Sequence, residues 1–189
     1  MSTITVVKKD GYVSIAADTL TTFGSTKESA EYIVNSGKIV CYKDSFLGVS
    51  GSACLQIALE DFLLKAKKTI PLGNVPEIFR FGLSLHKSLK DNYFLQAHDD
   101  DDFETFRGDI LIMGPNGIFG ISSYRYVQEF KKFYANGSGS EYALGAMYAV
   151  YNEKDKKSED IAKLGVEAGA EFDDGSGLPL GCYTIKVKK

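Results

Sequence analysis

The chain has 189 residues, 44% of them hydrophobic and 25% charged, with a formal net charge of −3. That length favours one domain, expected over 1–189, with room for a sizeable core, and the absence of a basic tract speaks against a nucleic-acid partner. No stretch approaches a membrane span, "MSTITVVKKDG" lacks the apolar segment of a signal peptide, and Cys41, Cys54 and Cys182 read as buried thiols in a reducing compartment, so a cytoplasmic protein without a membrane partner is expected.

Two β-rich runs, "TITVVKK" and "YVSIAAD", flank Lys9-Asp10-Gly11. Asp-Gly between apolar runs is a strong hairpin signal. "KIVCY" and "SFLGVSG" form a second pair across Lys43-Asp44. The period then changes. Leu55, Leu59, Phe62 and Ala66 recur at helical spacing, as do Ile78, Phe81 or Gly82, Leu85 and Leu89. Pro71 and Gly73 separate the two helices, and Pro76 suits the first turn of the second.

Strands return with "FETF", "DILIMG", "GIFGISS" and "FKKFYANG", with a turn at Pro115-Asn116-Gly117. Two further helices follow. One begins at Ser140 with Ala143, Ala146, Met147 and Val150 on one face. The other begins at Ser158, a predicted N-cap, with Ile161, Leu164 and Ala168. "LGCYTIKVKK" closes the chain as a strand. Segregated strands and helix pairs predict an α+β fold of layers instead of a doubly wound parallel sheet. Two central antiparallel sheets, each covered by a helix pair, bury every apolar face.

The chemistry is narrowed by what is scarce. There are two histidines, His86 in a helical run and His98 at the head of "HDDDDFE" (98–104), and neither lies near a nucleophile-elbow pattern. No Cys and His spacing suits a metal, and the acidic run lacks the spaced ligands of a calcium loop, so it reads as a solvated loop. "ANGSGSEYALGA" (135–146) opens a helix but matches neither phosphate-binding glycine motif; Tyr142 stands where a third glycine would be needed. No cofactor or metal is expected.

The terminus offers a route that needs no histidine. A small residue after Met1 favours removal of the methionine, which would expose the α-amine of Ser2. Such an amine has a pKa of about 7.7–8.0, so one residue holds both a hydroxyl nucleophile and its base. A nearby cation would support the alkoxide, and a buried cation needs an anion. Asp18 ends the second strand and Lys38 begins the third, both at strand ends near the expected position of Ser2. Taken alone, Asp18 as a turn acid and Lys38 as a solvated strand end are the simpler reading.

Together these residues resemble a family, the β-type proteasome subunits and bacterial HslV, which are N-terminal-nucleophile (Ntn) hydrolases. The resemblance covers nearly the whole chain. "STITVV" followed by Asp18 is similar to the family's opening at equal spacing. "TFGSTKESAEYIVNSGKI" resembles the approach to the family's catalytic lysine, with a few extra residues. "FLGVSGSACL", "YANGSGSEYALGA" and "DDGSG" (173–177) are similar to three further family turns. The implied fold is the four-layer αββα Ntn sandwich with two central antiparallel sheets.

By that resemblance Ser2 takes the nucleophile's place, where the family usually has Thr, and Asp18 and Lys38 form the charged pair beside it. Ser138, Asp173 and Ser176 match the group that orients the terminal amine. Gly48 matches the glycine whose N–H holds the oxyanion. Thr21, Phe46, Ser50 and Cys54 match the specificity pocket; none is charged, which predicts cleavage after neutral or apolar residues. The implied activity is peptide-bond hydrolysis through an ester on Ser2 after loss of Met1, on peptides or unfolded proteins, inside a homo-oligomeric ring. An ATP-dependent unfoldase partner is allowed by the resemblance, and no residue of this chain demonstrates one. Two alternatives stay open: a catalytically inactive ring-forming scaffold subunit, and a small-molecule amidase on the same fold.

Overall fold

A computed structural model describes residues 1–95 and 103–188. The chain starts with strand β1 (Ile4–Lys9), turns through Asp10 and Gly11, both at positive φ, and returns as β2 (Tyr12–Asp18). Two consecutive residues at positive φ match the right-handed twist of the flanking strands. A short hairpin follows, β3 (Thr21–Phe23) with β4 (Thr26–Glu28), then β5 (Ile39–Tyr42) and β6 (Ser45–Gly51). Helices α1 (Ala53–Leu64) and α2 (Val75–Asp91) come next, α2 capped by the Asn74 side chain, which accepts from Glu77 N–H at 3.0 Å. Strands β7 (Gly108–Gly114), β8 (Gly117–Ile121), β9 (Val127–Phe130) and β10 (Phe133–Asn136) precede helices α3 (Ser140–Val150) and α4 (Ser158–Phe172), and β11 (Leu180–Lys186) ends the fold.

The strands form a four-stranded sheet, β10-β1-β2-β11, a five-stranded sheet, β5-β6-β7-β8-β9, and the separate β3-β4 pair, with antiparallel neighbours throughout. Strand alternation divides the core into three layers. Ile4, Val6, Val13 and Ile15 of the first sheet meet Leu111, Met113 and Ile118 of the second. On the far side of the five-stranded sheet, Val49, Ile110, Ile112 and Phe119 pack under Leu55, Leu59, Ile78, Phe81 and Leu85 of α1 and α2. On the far side of the other sheet, Val7 and Ala16 meet Ala143, Met147, Ile161, Ala162 and Val166 of α3 and α4. This is the expected α+β, four-layer αββα sandwich.

Several local expectations differ. Residues 103–106 are not a strand; Phe106 N–H donates to Ser123 O at 3.3 Å, and its ring packs into the helix-side core. The run 127–136 is two strands in different sheets, β9 on β8 and β10 on β1, with the corner at Lys131-Lys132. The β3-β4 hairpin has little apolar alternation to announce it, since most of its residues are exposed. Helix α1 stops at Leu64, short of Ala66. Ser158 is the first residue of α4, buried with its hydroxyl 2.9 Å from that of Ser14, and Lys157 occupies the cap. Cys41 and Cys54 are exposed and Cys182 is half-buried, against the expectation of buried thiols. His98 and most of the acidic run lie outside the described residues. Among the described residues no helix is long and apolar enough to cross a membrane.

Candidate active site

The start of β1 is held on every side. Gly139 N–H donates to Ser2 O at 3.3 Å, and Asp18 N–H donates to Thr3 O at 3.1 Å. Glycine is required at 137, where φ is +96° and a Cβ would collide with the Ser2 carbonyl. Gly169 likewise lets α4 lie against Thr3, because a Cβ there would strike the threonine side chain. The result is a terminus buried to 3% exposure at Ser2 and 0% at Thr3, while Met1 stays 55% exposed. A strand end is usually the loosest part of a fold; here backbone bonds from two elements clamp it.

Asp18 and Lys38 meet. Lys38 Nζ lies 2.8 and 2.9 Å from the two carboxylate oxygens, with Asp18 wholly buried and Lys38 8% exposed. The carboxylate also accepts from Thr3 N–H at 2.9 Å and from Leu20 and Gly177 N–H at 3.1 Å each. Those donors fix where the anion sits, and the anion fixes the ammonium. Lys38 Nζ also donates to Met1 O at 3.4 Å, beside the Ser2 hydroxyl, which itself contacts Met1 O. Burial holds the Lys38 pKa below the usual lysine value, with Asp18 opposing that shift.

A second network reaches the Ser2 nitrogen. Ser2 N–H donates to Ser138 Oγ at 3.2 Å, and Ser138 Oγ donates to Asp173 Oδ2 at 2.7 Å. Ser176 Oγ donates to the same oxygen at 2.6 Å and lies 2.7 Å from Thr3 Oγ1. Ser138 comes from the turn between β10 and α3, and Asp173 and Ser176 from the turn after α4. The two helix-pair turns therefore converge on the first strand, and all three polar residues named for this group are brought together.

Two cavities open at Ser2. One, of about 480 Å³, is bordered by Thr21, Lys38, Val49, Gly51 and Cys54; the other, of about 500 Å³, by Ser50, Gly51, Arg107, Ser123 and Ser138. Thr21 and Cys54 border the first. Ser50 faces the second. Phe46 borders neither: its ring stacks on Tyr183 with centroids 4.7 Å apart. Gly48 is also misplaced as an oxyanion donor. A Cβ there would point into the inter-sheet core against Ile4 and Ile15. Val49 N–H donates to Lys38 O, so strand alternation turns the Gly48 N–H the other way, toward its partner Leu111 in β7. Gly51 has the parity of Val49, lies beyond the end of β5, and borders both cavities. Val49, Gly51, Glu28 and Glu60 are among the lining residues that sequence reading missed; the paired registers of β5, β6 and β7 supply the first two.

An α+β sandwich of this layout, with a clamped strand terminus at the mouth of both sheets, is the proteasome-type Ntn fold. The chain belongs to the family of Thiobacillus denitrificans BPH, to which it is 47% identical with a TM-score of 0.95, covering 98% of each chain. The structure of Thiobacillus denitrificans BPH in complex with Epoxomicin is similar to it at 46% identity and a TM-score of 0.94, covering 99% of this chain and 100% of that one. The structure of eukaryotic HslV from Trypanosoma brucei matches at 18% identity and a TM-score of 0.69, covering 97% and 99%; that likeness speaks for the fold alone. No family profile matches the chain.

Proposed function

We propose that the protein is an N-terminal-nucleophile peptidase whose nucleophile is Ser2, freed by removal of Met1. The observation that carries this is the Ser2 nitrogen held 3.2 Å from Ser138 Oγ, itself tied to Asp173, with the Lys38–Asp18 pair on the other side. Once Met1 is gone, that nitrogen is a primary amine. It accepts the Ser2 hydroxyl proton as Oγ attacks the substrate carbonyl carbon. The resulting ammonium then protonates the departing amine, leaving an ester on Ser2. Water, deprotonated by the same amine, attacks the ester, and collapse returns the proton to Oγ. Lys38 supports negative charge on Oγ and, as a like charge, disfavours the ammonium form of the resting amine. Ser138, with Asp173 and Ser176 behind it, aims the amine. Gly51 N–H is placed to donate to the tetrahedral oxyanion, a contribution typically worth about a hundred- to a thousandfold in rate.

The similar Thiobacillus protein has been captured with Epoxomicin, a proteasome inhibitor, which supports a peptidase. We extend the reading to one proteasome-β-like domain over 1–189 that acts on peptides or unfolded protein within a homo-oligomeric ring. Peptide hydrolysis by the parent, Ser2→Thr and Ser2→Ala chains tests the nucleophile. The threonine variant keeps hydroxyl and amine and is expected to remain active. The alanine variant is expected to lose at least about a thousandfold. An alanine variant as active as the parent would refute the assignment.

A further inference from the structure

The cavity of about 480 Å³ on the Lys38 side of Ser2 carries three charged side chains, Lys38, Glu28 from β4 and Glu60 from α1. Lys38 is paired with Asp18 through both carboxylate oxygens, so the pair adds no net charge to the cavity. Glu60 Oε1 accepts from Gln56 Nε2 at 3.1 Å, a neutral amide whose nitrogen also bonds Gly37 O at 2.7 Å. Among the described residues neither Glu28 nor Glu60 has an ion-pair partner. The cavity is therefore net acidic. The second cavity at Ser2 carries Arg107 and Asp109, one charge of each sign. The wall of the first cavity also includes apolar Leu20, Val49 and Ile57.

We infer that this cavity takes a lysine or arginine side chain adjoining the scissile bond, and that Glu28 and Glu60 select it. The inference rests on the Ser2 reading above. A long basic side chain lays its methylene stem on apolar wall and presents its cation to polar partners. That cation satisfies the two carboxylates, which an apolar side chain would desolvate without pairing and an acidic one would repel. The expectation of cleavage after neutral or apolar residues followed from Thr21, Phe46, Ser50 and Cys54; only Thr21 and Cys54 of these line the cavity, and the glutamates replace the rest as its distinctive chemistry.

Digestion of unfolded casein, with every cut located by mass spectrometry, reads the residues on both sides of each broken bond. Cuts that also occur with Ser2→Ala are subtracted. The parent is expected to place Lys or Arg at one flanking position several times more often than their abundance in casein. The Glu28→Gln, Glu60→Gln double variant is expected to lower the ratio of basic to leucine cuts about tenfold, the order of a charge-assisted hydrogen bond lost. Ser2-dependent cuts without basic enrichment, or enrichment unchanged in the double variant, would overturn the inference and leave Ser2 as the nucleophile. Absence of any Ser2-dependent cut would overturn both.

Discussion

Asp18 accepts from Thr3, Leu20 and Gly177 backbone donors and from Lys38, so one buried carboxylate joins the first strand, the segment leaving β2, the turn before β11 and the start of β5. Removing one partner of a buried ion pair costs about 3–5 kcal/mol because the other is left unpaired. Asp18→Ala is accordingly expected to lower the unfolding free energy by about that much, and the Asp18→Ala, Lys38→Met double variant by less than the sum of the two single changes; denaturant titration measures both. The pH dependence has a definite sign. Burial puts the folded Lys38 pKa below its usual value of 10.5, so on the alkaline side the folded chain gives up this proton before the unfolded chain does. In that window the unfolded state binds more protons, and the stability attributable to Lys38 rises with pH. The parent-minus-Lys38→Met difference in unfolding free energy should shift in the parent's favour there, while the parent's peptidase rate falls as the ammonium is lost.

At the level of elements, strand β6 separates two glycines three residues apart. Gly48 faces Ile4 and Ile15 in the inter-sheet core, and Gly51 borders both cavities at Ser2. Gly48→Ala forces those isoleucines to move, and over-packing of this kind costs about 1–3 kcal/mol. Gly51→Ala puts a side chain at φ +124°, against the Arg107 carbonyl and Gly108. The expected pattern is a lowered melting temperature with near-parent kcat for Gly48→Ala, and a kcat loss exceeding its stability loss for Gly51→Ala. The reverse pattern would return the oxyanion role to Gly48. The confusion has a simple origin. Phe46, Gly48 and Ser50 share one parity along β6, while Val49 and Gly51 share the other, and a one-residue slip exchanges the faces of a strand.

Over the whole molecule, legibility followed the length scale of the signal. Asp10-Gly11 announced the β1-β2 hairpin, and helical spacing at Leu55, Leu59, Ile78, Leu85 and Leu89 announced the residues that α1 and α2 bury. The convergence of Asp18 with Lys38, and of Ser138 with Asp173 and Ser176, joins residues up to 38 positions apart; strand ends only suggested the first pair, and the second group came through resemblance, because nothing local in the sequence encodes it. The pocket walls were the least legible part, because Glu28 sits on a polar hairpin without apolar alternation and Glu60 on the outward side of α1. Large apolar side chains remain exposed on this single chain, among them Phe23, Tyr32 and Val34 near the β3-β4 hairpin and Tyr148 and Phe172 on the α3-α4 layer. Such surfaces are of the kind that contacts between copies cover, in keeping with the proposed ring.

The central claim is that the bond between Met1 and Ser2 is cut and that the exposed Ser2 does the chemistry. Intact-mass measurement of the purified protein, before and after incubation with Epoxomicin, tests it most directly. The account predicts a chain lighter by one methionine that gains the inhibitor's mass on Ser2, and no such gain in Ser2→Ala. A chain that keeps Met1 and takes up no inhibitor, or an adduct that persists in Ser2→Ala, would contradict it.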